Sequence, residues 1–133
     1  MAIAFRSYRD LDVWQKAMTV AKEVYAATAG FPDHERFGLV NQMRRAAVSI
    51  ASNIAEGHAR GSTGEFQRFI LIAMGSVAEL ETQLLLSTSL GFLMQPSADA
   101  VLRELDSVGK MLRALHRSLS KQKSVTEGRQ ADV

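Results

Sequence analysis

Five polar residues at three- and four-residue spacing are the clearest candidates for chemistry in this sequence. At about 100° per residue, one face of a helix would carry Arg45, Ser49, Asn53, Glu56 and Arg60, opposite a face of apolar side chains. Arginine and amide side chains supply hydrogen bonds to phosphates and to unpaired bases of RNA. The same residues can instead form a structural network in which the glutamate bridges one of the arginines at a helix junction or subunit boundary. The alternating charges favour the network, and both interpretations stay open.

Basic residues are unevenly distributed along the chain. Residues 1–106 contain 10 Lys and Arg against 12 Asp and Glu, whereas residues 107–133 contain 6 against 2. This C-terminal excess indicates a polyanionic partner, although cations at the end of a last helix also complement its dipole. The candidate contacts with nucleic acid or a partner protein are Arg44, Arg45, Arg60, Arg68, Arg113 and Arg117. A dedicated nucleic-acid surface would also interleave aromatic side chains, and we expect the aromatics here on apolar faces.

No residue pattern in the chain indicates catalysis. The Glu-x-x-His motif of di-metal helical bundles is absent, because Glu56 lies two residues from His58 and the other histidines, His34 and His116, are scattered. No nucleophile is paired with a candidate base, and no phosphate-binding loop follows a strand pattern. The sequence has no cysteine, which excludes disulfides and thiolate metal sites. We therefore expect a protein that is not an enzyme and has no cofactor, metal or small-molecule substrate.

Apolar residues repeat at helical spacing in four segments separated by glycine and proline. The predicted helices cover about 11–29, 33–58, 63–89 and 97–120, and Ser62 with Glu65 predicts a capped start for the third. Short connections favour antiparallel neighbours, so we predict an all-α, up-and-down antiparallel four-helix bundle. The predicted organisation is an N-terminal extension at 1–8, the bundle at 9–120 and a disordered tail at 121–133.

The third predicted helix has more apolar surface than one bundle can bury. Leu71, Met74, Ala78 and Leu85 form a second face beside its main apolar face, and Ile72, Leu86 and Leu90 lie on yet another side. Self-association would cover this surplus. The N-terminus is a poor signal peptide, and no window reaches the roughly 18 uninterrupted apolar residues of a membrane helix. We expect a cytoplasmic protein without membrane contact.

Several of these segments resemble one known family. They are DLDVWQKAM, FPDHERFGLVNQMRRAAVSIASNIAEGHAR, STGEFQRFILIAMGSVAELETQL and LGFL, which together cover about Tyr8 to Leu119. They are similar to the four-helix-bundle family of 23S ribosomal RNA intervening-sequence proteins. The resemblance implies a bundle that assembles as a homopentamer. A related set consists of basic, pentameric accessory proteins of the reverse transcriptases of diversity-generating retroelements, from which this chain differs in being only mildly basic.

The resemblance and the basic excess together lead to a functional expectation. We expect a non-enzymatic oligomer that binds RNA or a ribonucleoprotein weakly, through basic residues carried on a ring. The alternative is a protein-interaction scaffold, an accessory subunit that docks a partner enzyme such as a reverse transcriptase.

Overall fold

The computed structural model describes residues 7–131 and the side chains of residues 7–123. This part of the chain contains four α-helices and no strand: α1 (Asp12–Thr28), α2 (Leu39–Ala59), α3 (Thr63–Ser89) and α4 (Gln95–Ala131). Short 3-10 helices at Tyr8–Asp10 and Asp33–Glu35 precede α1 and α2. The predicted all-α, four-helix fold is confirmed.

Each helix packs on its neighbours in sequence, and α1 also packs on α4, which closes the bundle. Two contacts show that α2 and α3 are antiparallel. Ser49 contacts Ser76, and Gly57, further along α2, lies against Phe69, which comes earlier in α3. In the same way Gln67 at the start of α3 meets His116 late in α4. The chain therefore runs up and down through four neighbouring helices.

The core consists of the apolar stripes that the helical spacing predicts. Its largest fully buried apolar side chains are Met43, Ile50, Ile54, Ile70, Leu80, Leu84, Leu105 and Leu112. Burying one such side chain stabilises the fold by about 1.5–3 kcal/mol. These residues come from α2, α3 and α4, while Val20 and Val24 supply the wall from α1.

Two helix boundaries differ from the sequence prediction. The second helix begins at Leu39 and not near Asp33, because the 3-10 turn ends before Gly38 and Glu35 Oε2 accepts a hydrogen bond from the Leu39 N–H at 3.0 Å. α4 continues through Ala131, past residue 120 where the fourth helix was predicted to end, and the disorder predicted for 121–133 stays a prediction. The Lys, Gln, Glu and Arg residues of this segment are good helix formers.

The predicted N-terminal extension lies mostly outside the described residues. Of that segment, Ser7 and Tyr8 are described, and the Tyr8 ring packs edge-on against Trp14 with centroids 5.4 Å apart. Tyr8 therefore belongs to the bundle and contacts its core.

α3 presents an apolar face that no other described element covers. Leu71 and Leu85 are 52% and 58% exposed, and Ile72, Leu86 and Leu90 are also exposed. By length and composition alone this helix could cross a membrane, which the search for uninterrupted apolar runs missed; core helices of water-exposed bundles pass the same test. The predicted surplus of apolar surface on this helix is present in the protomer.

Candidate nucleic-acid interface

The middle of the α2 polar stripe joins α2 to α3. Ser49 Oγ lies 2.9 Å from Ser76 Oγ, and Asn53 Nδ2 donates to the Ser49 carbonyl oxygen at 2.8 Å and to Ser49 Oγ at 2.9 Å. Ser76 is buried, and the other two side chains are half-buried. Because these hydrogen bonds satisfy partly buried polar groups, this part of the stripe stabilises the helix pair.

The C-terminal end of the stripe forms a cluster that we call the junction: Glu56, Arg60, Glu65, Arg68 and Phe69. Arg60 Nη2 lies 3.0 Å from Glu56 Oε1, and Arg68 Nε lies 2.8 Å from Glu65 Oε2. Both guanidinium groups also lie over the Phe69 ring, at 5.2 and 4.6 Å from its centroid. The hydrogen bond from Arg68, with a further contribution from Arg60, lowers the pKa of the Glu65 carboxyl. Two arginines thus have two carboxylate partners.

The junction forms where the backbones of α2 and α3 approach each other closely. A Cβ atom on Gly57 would lie 2.6 Å from Phe69 Cβ, so glycine allows α2 and α3 to meet there. Gly61 has a φ of 76° and reverses the chain, and Ser62 Oγ then accepts a hydrogen bond from the Glu65 N–H at 3.1 Å. The Ser62 half of the predicted cap of α3 is therefore present. The Glu65 side chain instead accepts a hydrogen bond from Arg68.

Arg44, a candidate contact, fastens α2 to α1. Its Nε donates to Thr28 Oγ1 at 3.0 Å, its Nη2 donates to the Tyr25 carbonyl oxygen at 3.3 Å, and its guanidinium lies 4.5 Å from the Tyr25 ring centroid. Thr28 is buried and Arg44 is half-buried, so the first of these bonds is partly shielded from water. The geometry gives Arg44 a structural role in the protomer.

Arg45, the next residue, lies between two open depressions, one towards Tyr25 and one towards Phe37. The depression towards Phe37, which we call the α2 hollow, has a volume of about 530 Å³ and is lined by Phe37, Asn41, Gln42, Arg45, Ala46, Ser49 and Glu79. Among the described residues, no hydrogen bond or ion pair engages the side chains of Asn41, Gln42 or Arg45. Arg45 therefore stands apart from the network predicted around Glu56.

Phe37 is the residue of the hollow that sequence reasoning missed. Its side chain is 85% exposed, so the expectation that the aromatics sit on apolar faces is wrong at this position. The Arg36 guanidinium lies 5.4 Å from its ring centroid. A signal was present in the sequence, because Phe37 lies between a charged residue and the glycine that precedes α2.

The last two candidates lie on α4, away from the hollow. Arg113 and Arg117 are exposed, and neither forms a hydrogen bond or ion pair within the part of the chain that the structure describes. They flank His116, whose carbonyl oxygen accepts a hydrogen bond from Gln67 Nε2 near the start of α3. The candidate arginines therefore lie at separate places on the protomer. Arg45 lies at the hollow, Arg60 and Arg68 lie at the junction, and Arg113 and Arg117 lie on α4.

A further group of titratable side chains, Lys16, Glu23 and Glu104, lies where α1 meets α4. No group of three or more His, Asp or Glu residues within 7–123 could hold a metal ion. The pKa of Glu23 is raised by burial and by the nearby Glu104, an effect that Lys16 partly opposes. Lys16 Nζ lies 3.5 Å from Glu104 Oε2, so one cation faces both carboxylates at the α1–α4 contact.

Comparisons with known proteins agree on the fold. The family model described as 23S rRNA-intervening sequence protein matches residues 9–114. Among solved structures, a protein of unknown function from the S23 ribosomal protein family of Bacteroides thetaiotaomicron superposes with a TM-score of 0.71 at 20% identity, over 78% of this chain and 97% of that one. No curated protein matches the chain.

Proposed function

The chain belongs to the 23S rRNA-intervening sequence protein family, and from that premise we propose that it is a non-enzymatic homo-oligomer, a pentameric ring, that binds RNA or a ribonucleoprotein. One observation supports the RNA part above all others. Arg45, Arg113 and Arg117 project from the bundle without a carboxylate partner among the described residues. Unpaired guanidinium groups are available for phosphate oxygens, to which they bind with bidentate geometry.

The exposed face of α3 supports the oligomer. Between Leu71 and Leu90 the only charged residues are Glu79 and Glu81, and the leucines at 71, 85, 86 and 90 are exposed. Identical copies would remove this surface from water at a gain of about 25 cal/mol per Å². A closed ring covers such a face in every copy and leaves none at an open end.

The ring would explain how a mildly basic chain holds a polyanion. Each protomer offers few free arginines, so one copy binds RNA weakly. Linked copies raise the effective concentration of the next contact, and overall affinity can then exceed that of one site by about 10²–10⁴. We place this activity in the cytoplasm, without membrane contact.

The assembly is tested by light scattering on the purified protein. We expect a mass of five times 14.6 kDa, and Leu85→Glu should give a monomer because it places a charge in the α3 face. Met94→Glu is the matched control, since Met94 is 75% exposed outside that face, and it should leave the mass unchanged. A monomeric wild-type protein would contradict the oligomer.

RNA binding is tested by titration at several salt concentrations. We expect affinity to fall steeply as salt rises, because arginine–phosphate contacts release condensed cations. The absence of binding at low salt would remove the RNA part of the proposal.

The α3 face also favours a second candidate function, a scaffold that docks a partner enzyme. Were the wild-type protein monomeric, Leu71 and Leu85 would be free to contact a different protein. A single partner that survives nuclease treatment and is released by Leu85→Glu would support this alternative.

A further inference from the structure

We propose that the α2 hollow binds one unpaired nucleotide of single-stranded RNA, with the base stacked on Phe37 and the phosphate held by Arg45. This inference rests on the proposed RNA binding and names both the surface and the form of RNA. It concerns the face of α2 around Phe37, Asn41 and Arg45, and neither the junction nor α4.

Phe37 is far more exposed than the other phenylalanines whose side chains the structure describes. Phe31 and Phe69 are buried and Phe66 and Phe92 are half-buried, whereas Phe37 is 85% exposed. Its position is fixed by the 3-10 turn before it and by Gly38 after it. An aromatic ring held in water beside a basic residue, here Arg36, is a stacking platform for a base, because every base has a π-face.

The polar side chains that line the hollow can form hydrogen bonds with the edge of a base. The amides of Asn41 and Gln42 each offer donors and an acceptor, and no described residue occupies them. Glu79, at the border between the hollow and the α3 face, accepts a hydrogen bond from Gln83 Nε2 at 3.3 Å and supplies the carboxylate of the lining. Single-stranded RNA is recognised by this combination of stacking and hydrogen bonds to base edges.

The charged side chains and the volume of the hollow also suit one nucleotide. The lining carries one guanidinium, Arg45, and one carboxylate, Glu79, so a phosphate would be held by direct contact with Arg45 and not by an excess of positive charge. A volume of about 530 Å³ lies within the 300–1,000 Å³ range of small-ligand sites and accommodates one nucleotide.

These features distinguish a nucleotide from a second copy of the chain. The apolar α3 face of a neighbour would bury the side chains of Asn41, Gln42 and Arg45 without hydrogen-bond partners, which costs about 1–3 kcal/mol for each group. Duplex RNA keeps its bases stacked on each other and cannot offer one to Phe37. An unpaired nucleotide satisfies the ring, the amides and the guanidinium together.

The test compares variants of the full-length protein by fluorescence anisotropy. One probe is an unstructured single strand of about 12 nucleotides, within the length that one single-strand site covers. The second probe is the same strand paired in a duplex. The variants are Phe37→Ala, Phe37→Trp and Arg45→Gln. Met94→Ala and Arg60→Gln are the controls, because they remove an exposed apolar side chain outside the hollow and an exposed arginine that is already paired with Glu56.

We expect two different signatures. Phe37→Ala should weaken single-strand binding at least about fivefold, the lower limit for loss of one stacked base, without changing the salt dependence, and Phe37→Trp should retain binding. Arg45→Gln should reduce the slope of log affinity against log salt by about 0.7, the value for one phosphate of a single strand. Duplex binding should respond to neither change at Phe37.

Three results would overturn the inference. The first is Phe37→Ala binding the single strand as well as Met94→Ala does, while wild-type binding persists; the proposed function would then survive without this site. The second is a change of oligomeric mass in Phe37→Ala, which would make Phe37 a contact between copies. The third is no RNA binding by the wild-type protein, which would remove the proposed function as well.

Discussion

The two ends of α2 use the same side chain in opposite ways. At the junction, Arg60 and Arg68 each have a carboxylate within 3.0 Å and share the Phe69 ring. At the hollow, Arg45 has no such partner among the described residues, and the nearby aromatic ring of Phe37 is open to water. Whether an arginine is available to a partner therefore depends on the side chains that the fold brings next to it.

Packing explains why one end is closed and the other open. Gly57 lets the backbones of α2 and α3 approach until Phe69 fills the space between them. At the other end the chain enters α2 through Pro32, a 3-10 turn and Gly38, which leaves Phe37 outside the bundle. The junction therefore contributes stability, whereas the hollow offers side chains to a partner.

The largest expected effect is on the packing of the junction. Gly57→Ala should destabilise the protein by about 1–3 kcal/mol, because a Cβ would overlap Phe69 Cβ at 2.6 Å. Gly64→Ala is the control, since its Cβ would meet only Lys123 Nζ at 3.8 Å, and a gain of about 0.4–1 kcal/mol is expected. Urea unfolding at one protein concentration measures both. Equal stability of the two variants would show that the junction is not tightly packed.

The next effect separates two adjacent arginines. Arg44→Gln should cost about 1–3 kcal/mol, because it removes a partly shielded hydrogen bond to Thr28 and the interaction with the Tyr25 ring. Arg45→Gln should change stability by less than about 0.5 kcal/mol, since it breaks no hydrogen bond or ion pair among the described residues. Thermal unfolding of both variants checks this, and a larger loss for Arg45→Gln would reverse the assigned roles.

A smaller effect is expected from the ion pair at the junction. Arg60→Gln should lower stability by about 0.3–0.5 kcal/mol, the value typical of an exposed pair four residues apart on a helix. Its RNA affinity should stay within about twofold of wild type, because Glu56 already neutralises the guanidinium. A loss of affinity as large as that of Arg45→Gln would remove the contrast between the two ends.

The smallest effect is a pH dependence confined to the junction. The pKa of Glu65 is lowered in the folded protein by Arg68 and then by Arg60, so its ionised form stabilises the fold above the unfolded pKa of about 4.3. This contribution is lost as the pH falls through the lowered, folded-state pKa. Melting temperatures between neutral and acidic pH should therefore fall less in Glu65→Gln than in wild type. Parallel profiles would contradict the assignment.

Local features of the fold were predictable from the sequence because they depend on neighbouring residues. Helical spacing identified the apolar stripes of α2 and α3, and Ser62 marked the start of α3. The exposed Leu71 and Leu85 followed from counting apolar faces. The extension of α4 to Ala131 did not, since helix propensity is a weak signal where no apolar face is present.

The division of the polar residues into bound and free ones was not predictable in the same way. Arg44 and Arg45 are adjacent and chemically identical, yet only the first reaches Thr28 across the α1–α2 contact. The exposure of Phe37 depends on the path of the chain before α2, which spacing does not determine. Such distinctions depend on tertiary geometry, and they decide which residues can contact RNA.

The most direct test of this account is the salt dependence of single-stranded RNA binding by Arg45→Gln and Arg60→Gln, measured together with wild type. The account predicts a slope lower by about 0.7 for Arg45→Gln and an unchanged slope for Arg60→Gln. Equal slopes for the two variants, or a reduced slope only for Arg60→Gln, would contradict it.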